Sequence, residues 1–319
     1  MSSSLTDQRI RALRGTKPKA DPWRAHGVLT ESERRPDGST ERALTIFLTG
    51  SECPFTCVFC DLWRYTTDAP TPTGALPQQI AETLKATERP WPVRLKLYNA
   101  SNFFEPRAVP PSDLPAIAEL CGPFAGVTVE SHANTIGDRT LEFARQIPGR
   151  LEVAVGLETI HPEASAMLNK RLDLGQFDRA AGFLAEHGMD LRVFVLLGAP
   201  HVPSEHTVEW SVRTAVYAAE RGASVVALIP VRSGNGELER LEALGQFTRP
   251  TLPQLEAALN QCLQRTAGAT VFTADLWDLD RLAGCPDCRP QRVDRLRQLN
   301  ATGRPRPSIN CAACAACNA

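Results

Sequence analysis

Six short apolar runs recur through the middle of this 319-residue chain, at residues 44–48, 93–98, 127–129, 151–155, 191–197 and 224–229. They read as strands buried by helices packed on a parallel sheet. Between them lie amphipathic stretches carrying helix signals. Pro77 opens one near 78–86, Ser112 caps one through 120, and Asp138 caps one through 146. A stretch at 175–187 stops at Gly188, and another at 204–221 stops at Gly222. Six strand–helix units imply a parallel α/β fold, because parallel neighbours need a crossover long enough for a helix. A doubly wound sheet and an incomplete barrel share this periodicity, which does not choose between them.

The flanks differ. Residues 1–40 are polar, rich in Arg and Lys and weakly patterned, an N-terminal arm with a short helix expected at 7–14. The α/β unit is placed at 41–245. The C-terminal extension, 246–319, holds a helix expected at 252–266 and a last strand or extended segment at 271–276. After Asp280 the composition shifts: residues 281–306 contain seven arginines against two aspartates, with cysteine pairs on either side. Residues 281–319 are therefore read as a small module wrapped around metal. A formal net charge of -1 offers no whole-chain field for nucleic acid or an anionic membrane. No apolar run reaches membrane-spanning length, and the first residues lack a signal peptide's apolar region, so a cytoplasmic protein is expected.

Ten cysteines without an export signal are not expected to form a disulfide framework. Cys121 and Cys262 fall within helical patterns and read as small buried hydrophobes. The other eight cluster. Cys53-Pro-Phe-Thr-Cys57-Val-Phe-Cys60 follows the first apolar run directly. Three thiolates on one loop can wrap three corners of a cubane cluster, with no fourth nearby. Electron-transfer clusters normally have four cysteine ligands, so a trio implies an iron open to an outside ligand, as an open position marks catalytic zinc. A zinc loop is the alternative.

This C-x3-C-x2-C loop, with Phe59 just before the third cysteine, resembles the cluster loop of the radical S-adenosylmethionine (SAM) superfamily. Tyr98-Asn-Ala-Ser-Asn-Phe-Phe-Glu, Val129-Glu-Ser-His, Val155-Gly-Leu-Glu-Thr and Leu196-Leu-Gly-Ala-Pro are similar to segments of the archaeosine-synthase radical subunit and the Elongator-type enzymes, relatives that act on tRNA. The resemblance implies a partial (β/α)6 barrel and so selects between the two folds. It implies a 4Fe–4S cluster on Cys53, Cys57 and Cys60 whose open iron chelates SAM. Reductive cleavage in that superfamily yields methionine and a 5′-deoxyadenosyl radical that abstracts hydrogen, with the electron coming from an external donor such as a flavodoxin or ferredoxin. Phe59 is expected against the adenine. Asn99, Ser101 and Asn102 stand where many members carry a Gly-Gly-Glu turn for the methionine amino group. Glu130, Ser131, Glu158 and Gly198, at strand ends, are further expected SAM contacts; a carboxylate suits two vicinal ribose hydroxyls.

His132, His161 and His201 follow the third, fourth and fifth runs and are candidate proton donors or substrate contacts. Arg232 is a candidate partner for an anionic group. Gly234-Asn-Gly236 lacks the third glycine of a dinucleotide loop and reads as a turn over SAM or substrate. At the rear, Cys285-Pro-Asp-Cys288 and Cys311-Ala-Ala-Cys314-Ala-Ala-Cys317 join the features of two sites. Two C-x2-C pairs suit zinc, whereas the third cysteine in rhythm resembles half a ferredoxin run. A second 4Fe–4S cluster is expected, with zinc as the alternative. The neighbouring arginines fit an anionic substrate or a solvated helix face. The expected function is hydrogen abstraction from a polar, anionic, nucleoside-like small molecule, with sulfur insertion from the rear cluster as an extension. Modification of tRNA is the alternative, against which stand the absence of an added RNA-binding domain and of a basic net charge. A non-catalytic Fe–S or zinc protein is the third reading.

Overall fold

The computed structural model describes residues 7–232, 234–265 and 270–317, with side chains to residue 314. Eight strands form one sheet in sequence order: β1 (Gly27–Arg34), β2 (Thr40–Phe47), β3 (Arg94–Tyr98), β4 (Gly126–Glu130), β5 (Arg150–Glu158), β6 (Asp190–Leu197), β7 (Ala223–Pro230) and β8 (Val271–Ala274). β2 to β7 are the six expected parallel strands, and β8 is the expected last one, parallel to β7. β1 lies in what reads as the N-terminal arm. It pairs antiparallel with β2, from Gly27 opposite Phe47 to Arg34 opposite Thr40. Its turn signal is local: Gly38 has φ +83° and Arg35 N donates to Ser39 O at 2.8 Å, as Asp-Gly turns favour. The sheet thus takes one edge from the arm and the other from the C-terminal extension, across the boundaries drawn at 40 and 245.

The helices are α1 (Asp7–Leu13), α2 (Ala75–Ala86), α3 (Leu114–Leu120), α4 (Asp138–Gln146), α5 (Pro162–Met167), α6 (Leu174–Glu186), α7 (Thr207–Glu220), α8 (Glu237–Ala243), α9 (Leu252–Arg265), α10 (Arg289–Thr302) and α11 (Ala312–Cys317). Four expected starts shift. α2 begins at Ala75, two residues ahead of Pro77. Ser112 sits in a 3-10 turn before α3, Gly137 rather than Asp138 takes the N-cap of α4, and Ser204 opens a 3-10 turn before α7. Asp173 caps α6 through a reciprocal bond with Gln176. The short α5 and α8 are too brief to show a helical period.

Along the strands one face packs on helices and the other turns inward. Leu44, Ile46, Leu95, Leu97, Val153, Val155, Val193 and Val195 are buried in the main core. The alternate positions, among them Glu31, Lys96, Tyr98, Glu130, Arg192, Phe194 and Ala227, line a cavity of about 550 Å³ to which every strand contributes. A sheet whose eight strands all face one cavity, with edges β1 and β8 unpaired to each other, is a partial barrel. α10 packs against both β1 and β8, across the seam. No helix among the described residues is long and apolar enough to cross a membrane.

Candidate active site

The cysteine loop leaves β2 at the carboxyl ends of the parallel strands, where such folds collect ligands. Several segments hold it. Val58 N donates to Leu168 O at 3.0 Å, Asn235 Nδ2 to Cys57 O at 2.7 Å, and Asn169 Nδ2 to Thr56 O at 3.1 Å. Glu52 is tied to Arg14 and Lys17. The backbone packs closely beside the loop: a Cβ on Gly234 would stand 3.0 Å from Val58 O. The turn at 234–236 therefore braces the cysteine loop, and Gly236 (φ +94°) starts α8.

Cys53, Cys57 and Cys60 are half-buried. Burial pushes the Cys57 thiol up to about 12, and burial with the Cys57 thiol beside it pushes Cys60 well up; Cys53 is raised by burial too. Bare, these thiols hold their protons at neutral pH; bound metal supplies the positive charge that ionises them. Asn102 Nδ2 reaches Cys53 Sγ at 3.7 Å, while its Oδ1 accepts from His132 N at 2.9 Å. Glu130 faces the cavity and accepts from Ala100 N at 2.7 Å. Burial nonetheless lifts its carboxyl to about 7.

The side-chain atoms of Asn99 and the Ser101 hydroxyl are buried without a partner. Buried polar groups in native proteins are almost always satisfied. The turn that also reaches Cys53 therefore carries unused hydrogen-bonding capacity, on side chains that lie just off the cavity behind Ala100. Phe59, Cys60, Glu130 and Glu158 all line the same cavity.

No protein-family model and no curated protein matches the chain. Among solved structures it resembles Elp3 of the archaeon Methanocaldococcus infernus, with a TM-score of 0.52 and 10% identity over 70% of this chain and 57% of that one. It resembles methylornithine synthase with a TM-score of 0.53 and 15% identity, over 95% of this chain and 82% of that one. The fold is that of the radical SAM enzymes. The chain spans little more than half the length of the Elp3 chain.

Several of the expected contacts have other partners. Ser131 Oγ bonds Thr135 Oγ1 at 2.7 Å and lies off the cavity. Gly198 (φ +77°) is explained by packing: a Cβ would meet Pro250 Cδ at 2.9 Å. His132 stacks on Phe55 at 4.3 Å, and its Nε2 lies 3.1 Å from Lys170 O. Burial, with Lys170 nearby, pushes its imidazole down to about 4, and its contacts with Phe55 and Lys170 brace two loops together. His161 caps α5, accepting from Ala164 N at 3.2 Å, and packs edge-on against Trp210. His201 lies off the cavity with a buried, unpartnered Nε2. Arg232 does face the cavity, but Asp275 at 2.5 Å and Asp278 at 2.7 Å already neutralise it.

The residue that sequence reasoning missed is Lys170. Its Nζ bonds Glu158 Oε1 at 2.5 Å and stands 5.9 Å from the centre of the Phe59 ring. Burial disfavours its charge, but Glu158 and the nearby Cys57 raise its pKa above the ordinary lysine value. His26, Tyr98 and Trp277, which line the cavity, were also missed. His26 stacks on Tyr65 at 4.8 Å, and Trp277 meets Phe47 edge-on at 5.3 Å. His26 and Trp277 are lone aromatics outside any motif, and Tyr98 lies in a motif whose asparagines and serine draw the attention.

At the rear, Cys285, Cys288, Cys311 and Cys314 converge with all four sulfur atoms within 4.8 Å of one another. Their donor set suits a cluster or zinc. The side chain of Cys317 lies outside the described residues. The neighbouring arginines are not a free anion patch: Arg292 and Arg295 are buried and share Glu256.

Proposed function

We propose that this chain is a radical SAM enzyme abstracting hydrogen from a polar, anionic, nucleoside-like small molecule. One observation carries the reading: a loop bearing three thiols borders a 550 Å³ cavity, which its Phe59 and Cys60 line. Cys53, Cys57 and Cys60 would hold a 4Fe–4S cluster, which with SAM bound would supply the 5′-deoxyadenosyl radical. The protein's own groups do the rest. Asn99, Ser101 and Glu130 receive the amino-acid end of SAM, Phe59 packs on its adenine, and Glu158 with Lys170 meets its polar groups.

Tyr98, Phe194 and Trp277 offer faces and edges for a planar ring in the cavity. Arg34 and Arg297 also line it and have no ion pair among the described residues; Arg34 Nε is buried and unpartnered. These two, rather than Arg232, suit an anionic arm. None of the four described rear cysteines lines the cavity, so the reading needs no sulfur insertion. An external flavodoxin or ferredoxin delivers the electron, in the reducing cytoplasm.

Anaerobically reconstituted protein, reduced and given SAM, is expected to form 5′-deoxyadenosine. A panel of deuterated nucleotides is expected to contain one that stimulates this and passes deuterium into it. Arg34→Ala and Arg297→Ala are each expected to raise KM for that nucleotide about tenfold with basal SAM cleavage unchanged. Unchanged 5′-deoxyadenosine formation in Cys57→Ala would overturn the reading.

A further inference from the structure

The rear cysteines differ from the front ones in spacing, and spacing distinguishes one ion from a cluster. Four thiolates on one tetrahedral zinc, at Zn–S about 2.3 Å, stand about 3.8 Å apart. In a cubane each thiolate hangs from its own iron, so the edge grows by the full iron–iron spacing. Any such spacing beyond about 1 Å takes the edge past the 4.8 Å limit within which all four rear sulfurs lie. Cys288 Sγ and Cys314 Sγ are 3.6 Å apart, the edge of a one-ion tetrahedron. The front trio forms no such group: among the described residues, Cys53, Cys57 and Cys60 do not bring three sulfurs within 4.8 Å of one another.

We infer that Cys285, Cys288, Cys311 and Cys314 bind a single structural zinc ion rather than a second 4Fe–4S cluster. As the ion binds, the four thiols release their four protons to solvent and leave a zinc tetrathiolate of charge 2−, with no change in oxidation state. The surroundings suit that charge. Arg292 Nε donates to Cys288 Sγ at 3.1 Å, and the same guanidinium bonds Glu256 of α9 and, at 3.4 Å, Ile309 O. Arg295 holds Pro307 O at 2.8 Å and Asn260 Oδ1 at 3.1 Å. These bonds lay the segment 304–311 back along α10 and return Cys311 to Cys288. Four protein ligands leave no open position, which is the structural rather than the catalytic pattern.

The site has a purpose in the fold. Cys288 immediately precedes α10, which packs on β1, β8 and α9. Asn300 on α10 accepts from Ala274 N and donates to Ala274 O, both at 2.8 Å, so it occupies the free edge of β8. Zinc at the head of α10 fixes the helix that closes the barrel seam, and Arg297 and Asn300 then line the cavity.

The test is metal analysis of the full-length protein, purified and reconstituted anaerobically. The expected content is about one zinc and about four iron per chain. Cys314→Ser should lose the zinc and keep the iron. Should that variant fail to fold, parent protein grown on cobalt should show the intense visible bands of tetrahedral cobalt thiolate. Iron near eight with no zinc, loss of iron from Cys314→Ser, or octahedral cobalt would each overturn the inference. All these readouts are independent of SAM cleavage, so they fail separately from the proposed function.

Discussion

Lys170 shows how much one side chain depends on its backbone. Asn169 (φ +54°) and Arg171 (φ +58°) flank it in the left-handed region, which costs non-glycine residues about 1–3 kcal/mol each. The turn is held from outside: Asn169 Nδ2 bonds Thr56 Oγ1 at 2.7 Å, and Arg171 pairs with Asp7 at 2.6 Å. Its effect is to aim an ammonium at Glu158 beside the cysteine loop. Lys170→Met is expected to raise KM for SAM about tenfold or more, the loss of one charge-assisted contact, with iron content intact. An unchanged KM would remove Lys170 from the SAM site. His132 yields a pH prediction. Its folded pKa of about 4 lies below the unfolded value near 6.5, so the unfolded state binds the extra proton first as pH falls. Stability should therefore drop by about 3 kcal/mol between pH 6.5 and 4 from this group. Denaturant unfolding of cluster-free protein across that range would measure the slope, which His132→Gln should flatten.

At the scale of elements, β1 earns its place through charge. Glu152 of β5 is fully buried and accepts from Arg192 Nε at 2.7 Å, Arg35 Nη1 at 3.0 Å and Thr128 Oγ1 at 3.1 Å. Arg192 also pairs with Glu33 at 2.9 Å, and Lys96 bonds Glu31 and Glu33. The network ties the β1–β2 hairpin to β3, β5 and β6 at the end of the barrel away from the cysteines. Burial opposes the charge on Glu152, but the three surrounding guanidiniums of Arg192, Arg94 and Arg35 hold its pKa far below the ordinary carboxylate range. Removing one member of a buried ionic group leaves uncompensated charge, so Glu152→Ala is expected to cost about 3–5 kcal/mol in denaturant unfolding. A cost under 1 kcal/mol, roughly the exposed-pair value, would mean water already screens the network.

For the whole molecule, the open seam is the weak point. A sheet with two free edges invites pairing with other chains unless something covers them. α10 does so, and Asn300 supplies the two hydrogen bonds that a ninth strand would otherwise make at Ala274. Asn300→Ala should destabilise the protein by about 2 kcal/mol and speed amide exchange at Ala274. Exchange raised equally in β4, far from the seam, would instead indicate global loosening.

The local part of this protein was legible in its residues. Strand period, helix stops and the spacing of Cys53, Cys57 and Cys60 each depend on neighbours within a few positions, so they could be read directly. The second cysteine group was legible as a metal site because its thiols come in two short-range pairs. What the tertiary structure alone decided is which distant groups meet. Arg232 looks free in sequence and is neutralised by carboxylates 43 and 46 positions away, at Asp275 and Asp278. His132 reads as a proton donor or substrate contact, and the fold buries it between Phe55 and Lys170. β1 reads as part of a polar, weakly patterned arm, because its charges find their partners only once β3, β5 and β6 stand beside it. The physical reason is common to all three: burial and pairing set the state of a titratable group, and both are made by contacts far apart along the chain.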